Sequence, residues 1–263
     1  MLGLAIKKVN TITLLEEIPT DGHSPMKFLC DDGRIYYCKY RSGHSLKAEE
    51  IDFLAYEIIC HFLLRYLQLP TPEIALVKLQ KDSFASADLR VNKKYAKPDI
   101  LCFGSQEISG SNLLSGLELV GSKHEFNKYL NPEDLIRIAF FDLWVGNIDR
   151  GRDENFNLLT RVRLDKTEII AFDHAFGFHG QDGLRAFNPK LPLETRNSLI
   201  RTPYFKSVVR YIPEKDQVSI AEKIVDCNIN EIENAVNEAF AEIPNVWSIP
   251  PGLKKTGAGL SFG

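Results

Sequence analysis

The sequence predicts an α+β protein in which a strand-rich first part leads into a mainly helical second part. Three observations carry that reading. Residues 5–40 hold short β-patterned runs broken by Asp-Gly turns, residues 47–68 switch to a helical period, and the second half returns to strand pattern only once, between helical segments. Of the 263 residues 44% are hydrophobic and 25% charged, with 32 Lys plus Arg against 35 Asp plus Glu and a formal net charge of −3. Disordered chains carry fewer apolar residues and a larger charge imbalance, and a protein that binds nucleic acid chiefly by neutralising phosphates is basic, so neither class fits. At this length the chain can bury a sizeable core, as one large domain or as two lobes.

The opening runs IKKVNTITLL, MKFLC and RIYYCKY are punctuated by Thr20-Asp21-Gly22 and Asp31-Asp32-Gly33, which reads as antiparallel sheet. In residues 47–68, Ile51, Leu54, Ile58, Phe62 and Leu63 recur at helical spacing, and Leu69-Pro70-Thr71-Pro72 stops the helix. Glu57 sits beside a second apolar line of Phe53, Cys60 and Leu64, so it points at protein and requires a cationic partner. EIALVKL reads as a strand, residues 80–97 as a Lys-rich loop, and DILCFGS as a strand that ends in a Gly-Ser break. Residues 104–122 read as the connection between two lobes. Asn131 and Pro132 then serve as N-cap and first residue of a helix whose body, LIRIAFFDLWV, is apolar almost all round and therefore central. After Gly146 come the strands FNLLTRV and EIIAFD. From about residue 185 the chain reads as loops and helices, with one helical face of Ile229, Ile232, Val236, Ala239, Phe240 and Ile243, and the end of the chain has no period.

Five cysteines, Cys30, Cys38, Cys60, Cys102 and Cys227, are odd in number and far apart, which argues for reduced thiols in a cytoplasmic compartment. The N-terminus carries no basic region followed by a long apolar run, and no stretch reaches the roughly 18 apolar residues of a membrane span. His174 and His179 lack further ligands at zinc spacing, and Cys38 and Cys60 lie in apolar runs unsuited to a nucleophile. Arg150, Arg152, Arg161 and Arg163 offer a basic patch for an anion, but Asp153, Glu154 and Asp165 are at hand to neutralise it, and the second reading is favoured.

The densest polar run, Gly146-Asn147-Ile148-Asp149-Arg150-Gly151-Arg152-Asp153-Glu154-Asn155, lies between the buried helix and a hairpin that ends in Asp173-His174. Phosphoryl transfer from ATP needs a carboxylate to orient the attacking hydroxyl and accept its proton, and oxygen ligands to hold magnesium on the phosphates. Asp149 answers to the first need, and Asn155 and Asp173 to the second. Lys39, at the end of a strand, and Glu57, on the following helix, supply a lysine for the phosphates and the acid that fixes it. Any one of these residues taken alone matches by chance; the order and the secondary-structure context of all five do not.

These motifs resemble the HipA-like kinases and, more loosely, the type II phosphatidylinositol 4-kinases, both of the wider protein-kinase-like fold. The resemblance rests on Asn147-Ile148-Asp149-Arg150-Gly151 with Asn155 and Asp173, on Gly33 to Lys39, on the Glu57 helix with its Pro-Thr-Pro stop, and on Cys102-Phe103-Gly104-Ser105. It implies a two-lobed fold: residues 1–107 a nucleotide-binding lobe of antiparallel sheet and one helix, residues 108–250 a mainly helical catalytic lobe, residues 251–263 a flexible tail. It implies ATP and Mg2+ as cofactors, Asp149 as catalytic base, Asn155 and Asp173 as metal ligands, Lys39 on the phosphates with Glu57 as its partner, and Phe103 and Gly104 at the adenine. With no GxGxxG present, the loop from Thr20 through Ser24 to Pro25 serves as the phosphate loop, assisted by Lys27. The acceptor implied is a Ser or Thr of a protein, in a toxin-antitoxin or stress-response setting with an antitoxin or other regulatory protein as partner.

The chain departs from the family pattern in the absence of GxGxxG, in Gly151, which stands where a histidine or its substitute usually follows Asp-Arg and matches the lipid-kinase variant better, and in one spacing. Asn155 lies six positions after Asp149 where five is usual, so the loop bulges or the ligand is Asn157 or Asp153. Two alternatives stand beside the protein kinase. A lipid kinase lacks support from any basic amphipathic helix or palmitoylatable cysteine cluster, and a pseudokinase that binds nucleotide without transfer is kept open by the altered spacing.

Overall fold

The computed structural model describes residues 5–20, 24–40, 49–85, 87–93, 96–115, 118–147, 149–151, 155–178 and 198–247. Asp21 to His23, Ile148, Arg152 to Glu154, His179 and the tail 251–263 lie outside them, as does the side chain of Asn155. Five strands, β1 (Lys7–Glu17), β2 (Met26–Cys30), β3 (Ile35–Lys39), β4 (Ile74–Lys78) and β5 (Leu101–Gln106), close into a barrel of order β1-β2-β3-β5-β4. The sheet is therefore not wholly antiparallel as expected: β1 runs parallel to β4, pairing Lys7 with Ala75 and Val9 with Val77, and this pair closes the barrel. Closure removes the free edges that an open five-stranded sheet would present. At the β2–β3 turn Gly33 takes φ +75°, which explains the glycine after two aspartates.

β5 runs straight through the expected Gly-Ser break. Gly104 pairs with Cys38 on one side and Ala75 on the other, and a Cβ there would stand 2.5 Å from Val77 Cγ2. Here glycine serves close packing inside the barrel, not chain reversal. Helix α1 (Glu49–Tyr66) follows β3 and lies outside the barrel; Gln68, at φ +54°, then turns the chain toward the two prolines.

The expected 104–122 connection contains strand β6 (Ser111–Ser115), which pairs with β7 (Asn155–Arg163); β7 in turn pairs with β8 (Lys166–Ala171) in a second, three-stranded sheet. A short helix α2 (Lys123–Phe126) is held by a capping box between Ser122 and Glu125. The buried helix α3 (Asp134–Trp144) begins later than Asn131 and Pro132 suggest. The Asn131 amide links α3 to β8: its nitrogen donates to Asp134 Oδ2 at 2.8 Å and to the Ile169 carbonyl at 3.0 Å, and its oxygen accepts from the Ile169 N–H at 2.8 Å. Three more helices follow, α4 (Pro203–Val209), α5 (Glu214–Val225) and α6 (Ile229–Glu242). Ile232, Val236, Ala239 and Phe240 are buried on α6 as the period predicts, whereas Ile229 is exposed at its first turn.

One core fills the barrel, with Met26, Phe28, Tyr36, Cys38 and Cys102. A larger one joins α1, α3 and α6 through Leu54, Ile58, Leu135, Phe141, Val236 and Phe240, each side chain contributing on the order of 1.5–3 kcal/mol. All five cysteines are free, and burial pushes the Cys30 thiol up to about 12. Among the described residues no helix is long and apolar enough to cross a membrane.

His61 lies inside this larger core at 5% exposure, with no partner on Nδ1. Burial, followed by the nearby Arg65 charge, pushes its pKa down to about 3 from the ordinary 6.5. Between these values the unfolded chain binds a proton that the folded chain refuses, so stability falls as pH falls, by up to ~1.4 kcal/mol per pH unit for this one group. Melting measured from pH 7.5 to 5 should show the decline, and His61→Leu should lessen its slope by about one proton; an unchanged slope would count against a neutral buried imidazole.

Candidate active site

Lys39 is the last residue of β3, where the strand leaves the barrel beside α1. Its side chain points outward because Tyr36 and Cys38 take the inward positions. On α1, Glu57 faces the same gap. The Lys39 ammonium lies 2.6 Å from Glu57 Oε1 and 2.7 Å from Asp173 Oδ1, and the other Glu57 oxygen accepts the His174 N–H at 2.9 Å. Lys39 and Glu57 are 7% and 5% exposed. Burial alone would lower the Lys39 pKa, but the Asp173 and Glu57 carboxylates outweigh it and hold the ammonium above its ordinary range. Burial raises the Glu57 carboxyl, and Lys39 opposes that rise. Strands β3 and β8 and helix α1 thus meet at one cation.

The second part of the site turns on Arg150, whose side chain is fully buried. Its Nε donates to Asp142 Oδ2 at 2.6 Å, one terminal nitrogen donates to the carbonyls of Phe156, Asn157 and Phe172, and the other meets His174 Nε2 at 2.6 Å. A guanidinium only donates, so His174 Nε2 is the acceptor. Burial and then the Arg150 charge depress the His174 pKa, in keeping with a neutral ring. Asn147 donates to the remaining Asp142 oxygen at 3.0 Å. Arg150 therefore ties α3, the loop that carries Asp149, the start of β7 and the end of β8 to one point.

Around this pivot two residues hold left-handed backbone, Asn157 at φ +43° and Asp173 at φ +55°. Both depart from the strand conformation where β7 and β8 pass Arg150, and Asn and Asp bear that conformation better than other side chains. The Asn157 amide nitrogen donates to Asp149 Oδ2 at 3.2 Å. The Phe172 N–H donates to the Asn157 carbonyl at 3.2 Å, which sets the Asp149–Asn157 pair beside the chain segment that carries Asp173 to Lys39.

Other residues singled out by sequence fall elsewhere. Phe103 is 3% exposed and packs into the larger core beneath α1, and Gly104 has both backbone edges paired and its α-carbon against the barrel interior. The Lys27 ammonium is held by Glu107 at 2.6 Å. Ser24, at φ +34°, closes its loop locally: its N–H donates to the Thr20 hydroxyl and its hydroxyl to the Thr20 carbonyl, both at 3.0 Å. The three described arginines of the basic run are all paired. Arg150 is buried on Asp142, while Arg161 and Arg163 pair with Glu168 at 2.5 and 2.8 Å, not with Asp165. A single acid in the all-apolar run LIRIAFFDLWV was the signal that Arg150 turns inward, since Asp142 at that position requires a buried cation.

The model of the HipA-like kinase family matches residues 16–191, more than half of the chain. The chain belongs to the HipA-like kinase family. It is accordingly a kinase, and its α+β fold is kinase-like. The matched span takes in Lys39, Glu57, Asp149, Asn157 and Asp173 of this HipA-like kinase. Among solved structures it is similar to a Helicobacter pylori proinflammatory kinase, CtkA, at TM-score 0.51 and 12% identity over 98% of this chain and 100% of that one. A Golgi casein kinase aligns at TM-score 0.47 and 13% identity, over 97% and 70% of the two chains. The Rio2 kinase of Chaetomium thermophilum, in an ADP/Mg2+-phosphoaspartate complex, aligns at 0.41 and 10%, over 95% and 70%. The CtkA likeness speaks to the fold alone. No curated protein matches the chain.

Proposed function

We propose that this protein transfers the γ-phosphoryl group of ATP to a hydroxyl, between a nucleotide-binding lobe built on the barrel and a catalytic lobe built on α3 to α6. The observation that carries this reading is the meeting of Lys39, Glu57 and Asp173 beside the Asp149–Asn157 pair. Lys39 is held charged and its position is set by two carboxylates, so it can offer a fixed positive charge to phosphate oxygens. Asp149, oriented by the Asn157 amide, accepts the proton of the attacking hydroxyl. Asp173 and Asn157 present a carboxylate and an amide oxygen, the hard ligands that magnesium prefers, with water completing its shell. Bound there, the ion would neutralise charge on the β- and γ-phosphates. Family membership supports a Ser or Thr of a protein as acceptor, and with it a cytoplasmic toxin-like or stress-response kinase governed by an antitoxin or other partner protein.

Asn157 is taken as the amide ligand in this proposal because its amide nitrogen reaches Asp149, while the side chain of Asn155 lies outside the described residues. Asn157→Ala should reduce magnesium-dependent transfer at least tenfold, while Asn155→Ala should leave it within about threefold. The reverse result would restore Asn155. For the function as a whole the decisive assay is transfer of radiolabel from ATP, with magnesium, to the chain itself or to added protein. Nucleotide binding without transfer, unchanged by Asp149→Asn, would leave a pseudokinase in place of a kinase.

A further inference from the structure

Between β4 and β5 the chain makes its Lys-rich excursion, which packs Leu79, Leu89 and Ala96 into the barrel core beside Tyr40. It also follows the second half of β1. The Ser83 and Thr11 hydroxyls meet at 2.7 Å, and Glu17, the last residue of β1, accepts three consecutive N–H groups: Arg90 at 2.8 Å, Val91 at 3.0 Å and Asn92 at 2.5 Å. Asn92 is 2% exposed and joins two further elements. Its amide oxygen accepts the Tyr40 hydroxyl, its amide nitrogen donates to the Ser24 carbonyl at 3.2 Å, and its own carbonyl accepts the Ala96 N–H at 2.9 Å.

Strand register puts these contacts at the end of the barrel from which Lys39 emerges. Glu17 pairs with Met26 and Met26 with Cys38, so the loop between β1 and β2 leaves the barrel at the level of Lys39. Within that loop the Ile18 N–H donates to the Pro25 carbonyl at 2.9 Å, and Thr20 and Ser24 bond each other; these contacts shape the loop but do not tie it to β3. Asn92 supplies that tie, because Tyr40 is the residue next to Lys39 and Ser24 lies on the returning limb of the loop. We propose that Asn92 is a positioning residue of the phosphate site: it fixes the β1–β2 loop against Lys39, so that loop and ammonium close on the same phosphate groups. Groups that must meet one polyanion together lose much of their effect when either is slightly misplaced. An amide suits the position, since it offers an acceptor to Tyr40 and a donor to Ser24 on one planar group. Glu17 holds the Asn92 backbone and so supports it. The assignment deepens the proposed reaction and rests on the role given there to Lys39.

Titration calorimetry of the full chain with magnesium-ATP and with AMP, beside steady-state transfer of label, tests it. Asn92→Ala removes both side-chain bonds and should weaken ATP binding about tenfold; Tyr40→Phe removes one and should weaken it about threefold. AMP has no β- or γ-phosphate, so it should bind both variants within about twofold of the parent. In the transfer assay the loss should fall on KM for ATP, with kcat kept within about threefold. Melting without nucleotide verifies that each variant is folded, and should Asn92→Ala fail to fold, Tyr40→Phe decides on the same comparison. The assignment is overturned if ATP binding stays within twofold of the parent, or if AMP binding weakens in step with it, which is the mark of a purely structural bond. A parent chain that binds ATP with this Asn92 dependence but transfers no phosphate defeats the proposed kinase reaction and leaves the positioning role standing. A chain that transfers phosphate through Asp149 yet is indifferent to both variants defeats the positioning role alone, and a chain that binds ATP no more tightly than AMP defeats both.

Discussion

Asp149→Ala is expected to lower phosphoryl transfer by about 10²–10⁴-fold, the usual worth of a positioned general base, while ATP affinity stays within a few-fold of the parent. The carboxylate acts on the acceptor hydroxyl, whereas the phosphates are held by Lys39 and by the metal on Asp173 and Asn157 in this reading. Asp149→Asn separates proton acceptance from geometry. An asparagine there can still receive the Asn157 amide hydrogen bond now made at 3.2 Å, but it cannot take a proton. Both variants should therefore be equally inactive in a single-turnover radiolabel assay while melting at the parent temperature. Activity within tenfold of the parent in Asp149→Asn would remove Asp149 from the base role.

The second large effect is expected on stability. Asp142→Ala strands the guanidinium of Arg150, which is fully buried and bonded to Asp142 at 2.6 Å. Leaving one member of a buried pair without its counter-charge costs about 3–5 kcal/mol, which for a chain of this size lowers the melting temperature by on the order of 10 °C. The double variant Asp142→Leu with Arg150→Met removes both charges and should regain much of that stability. It should not regain activity, because the carbonyls of Phe156, Asn157 and Phe172 lose the donor that gathers them and the backbone at Asn157 and Asp173 loses its support. Stability without transfer in the double variant marks Arg150 as a positioning residue. Transfer restored along with stability would reduce it to a structural one.

Much of the molecule was legible in the chain because it is written in local chemistry. The helix with Glu57, the Asp-Gly turn before β3, the apolar α3 and the β7–β8 hairpin all follow from period and turn residues, and they sit where those signals place them. Misreadings cluster where a residue's role is set by a distant neighbour. Gly104 looks like a break and is instead the point where Val77 and Tyr36 close on β5. Pro132 and Asn131 look like a helix start, yet Asn131 is engaged by Ile169, thirty-eight positions away. The barrel is closed by a parallel pair between β1 and β4, and no local pattern announces a partner so far along the chain.

By itself, then, the sequence determined the candidate chemistry: an acid on a helix that must meet a lysine, a carboxylate in a polar loop, and another at a strand end, in an order that phosphoryl transfer requires. Only the tertiary structure decided which groups share one place. It brought Lys39 to Glu57 and Asp173, set the Asn157 amide on Asp149, turned Arg150 inward onto Asp142, and paired Lys27 with Glu107. The physical reason is that periodicity encodes which face of an element is buried, whereas the pairing of charges across elements depends on strand register and on long-range closure. These are settled when the chain packs.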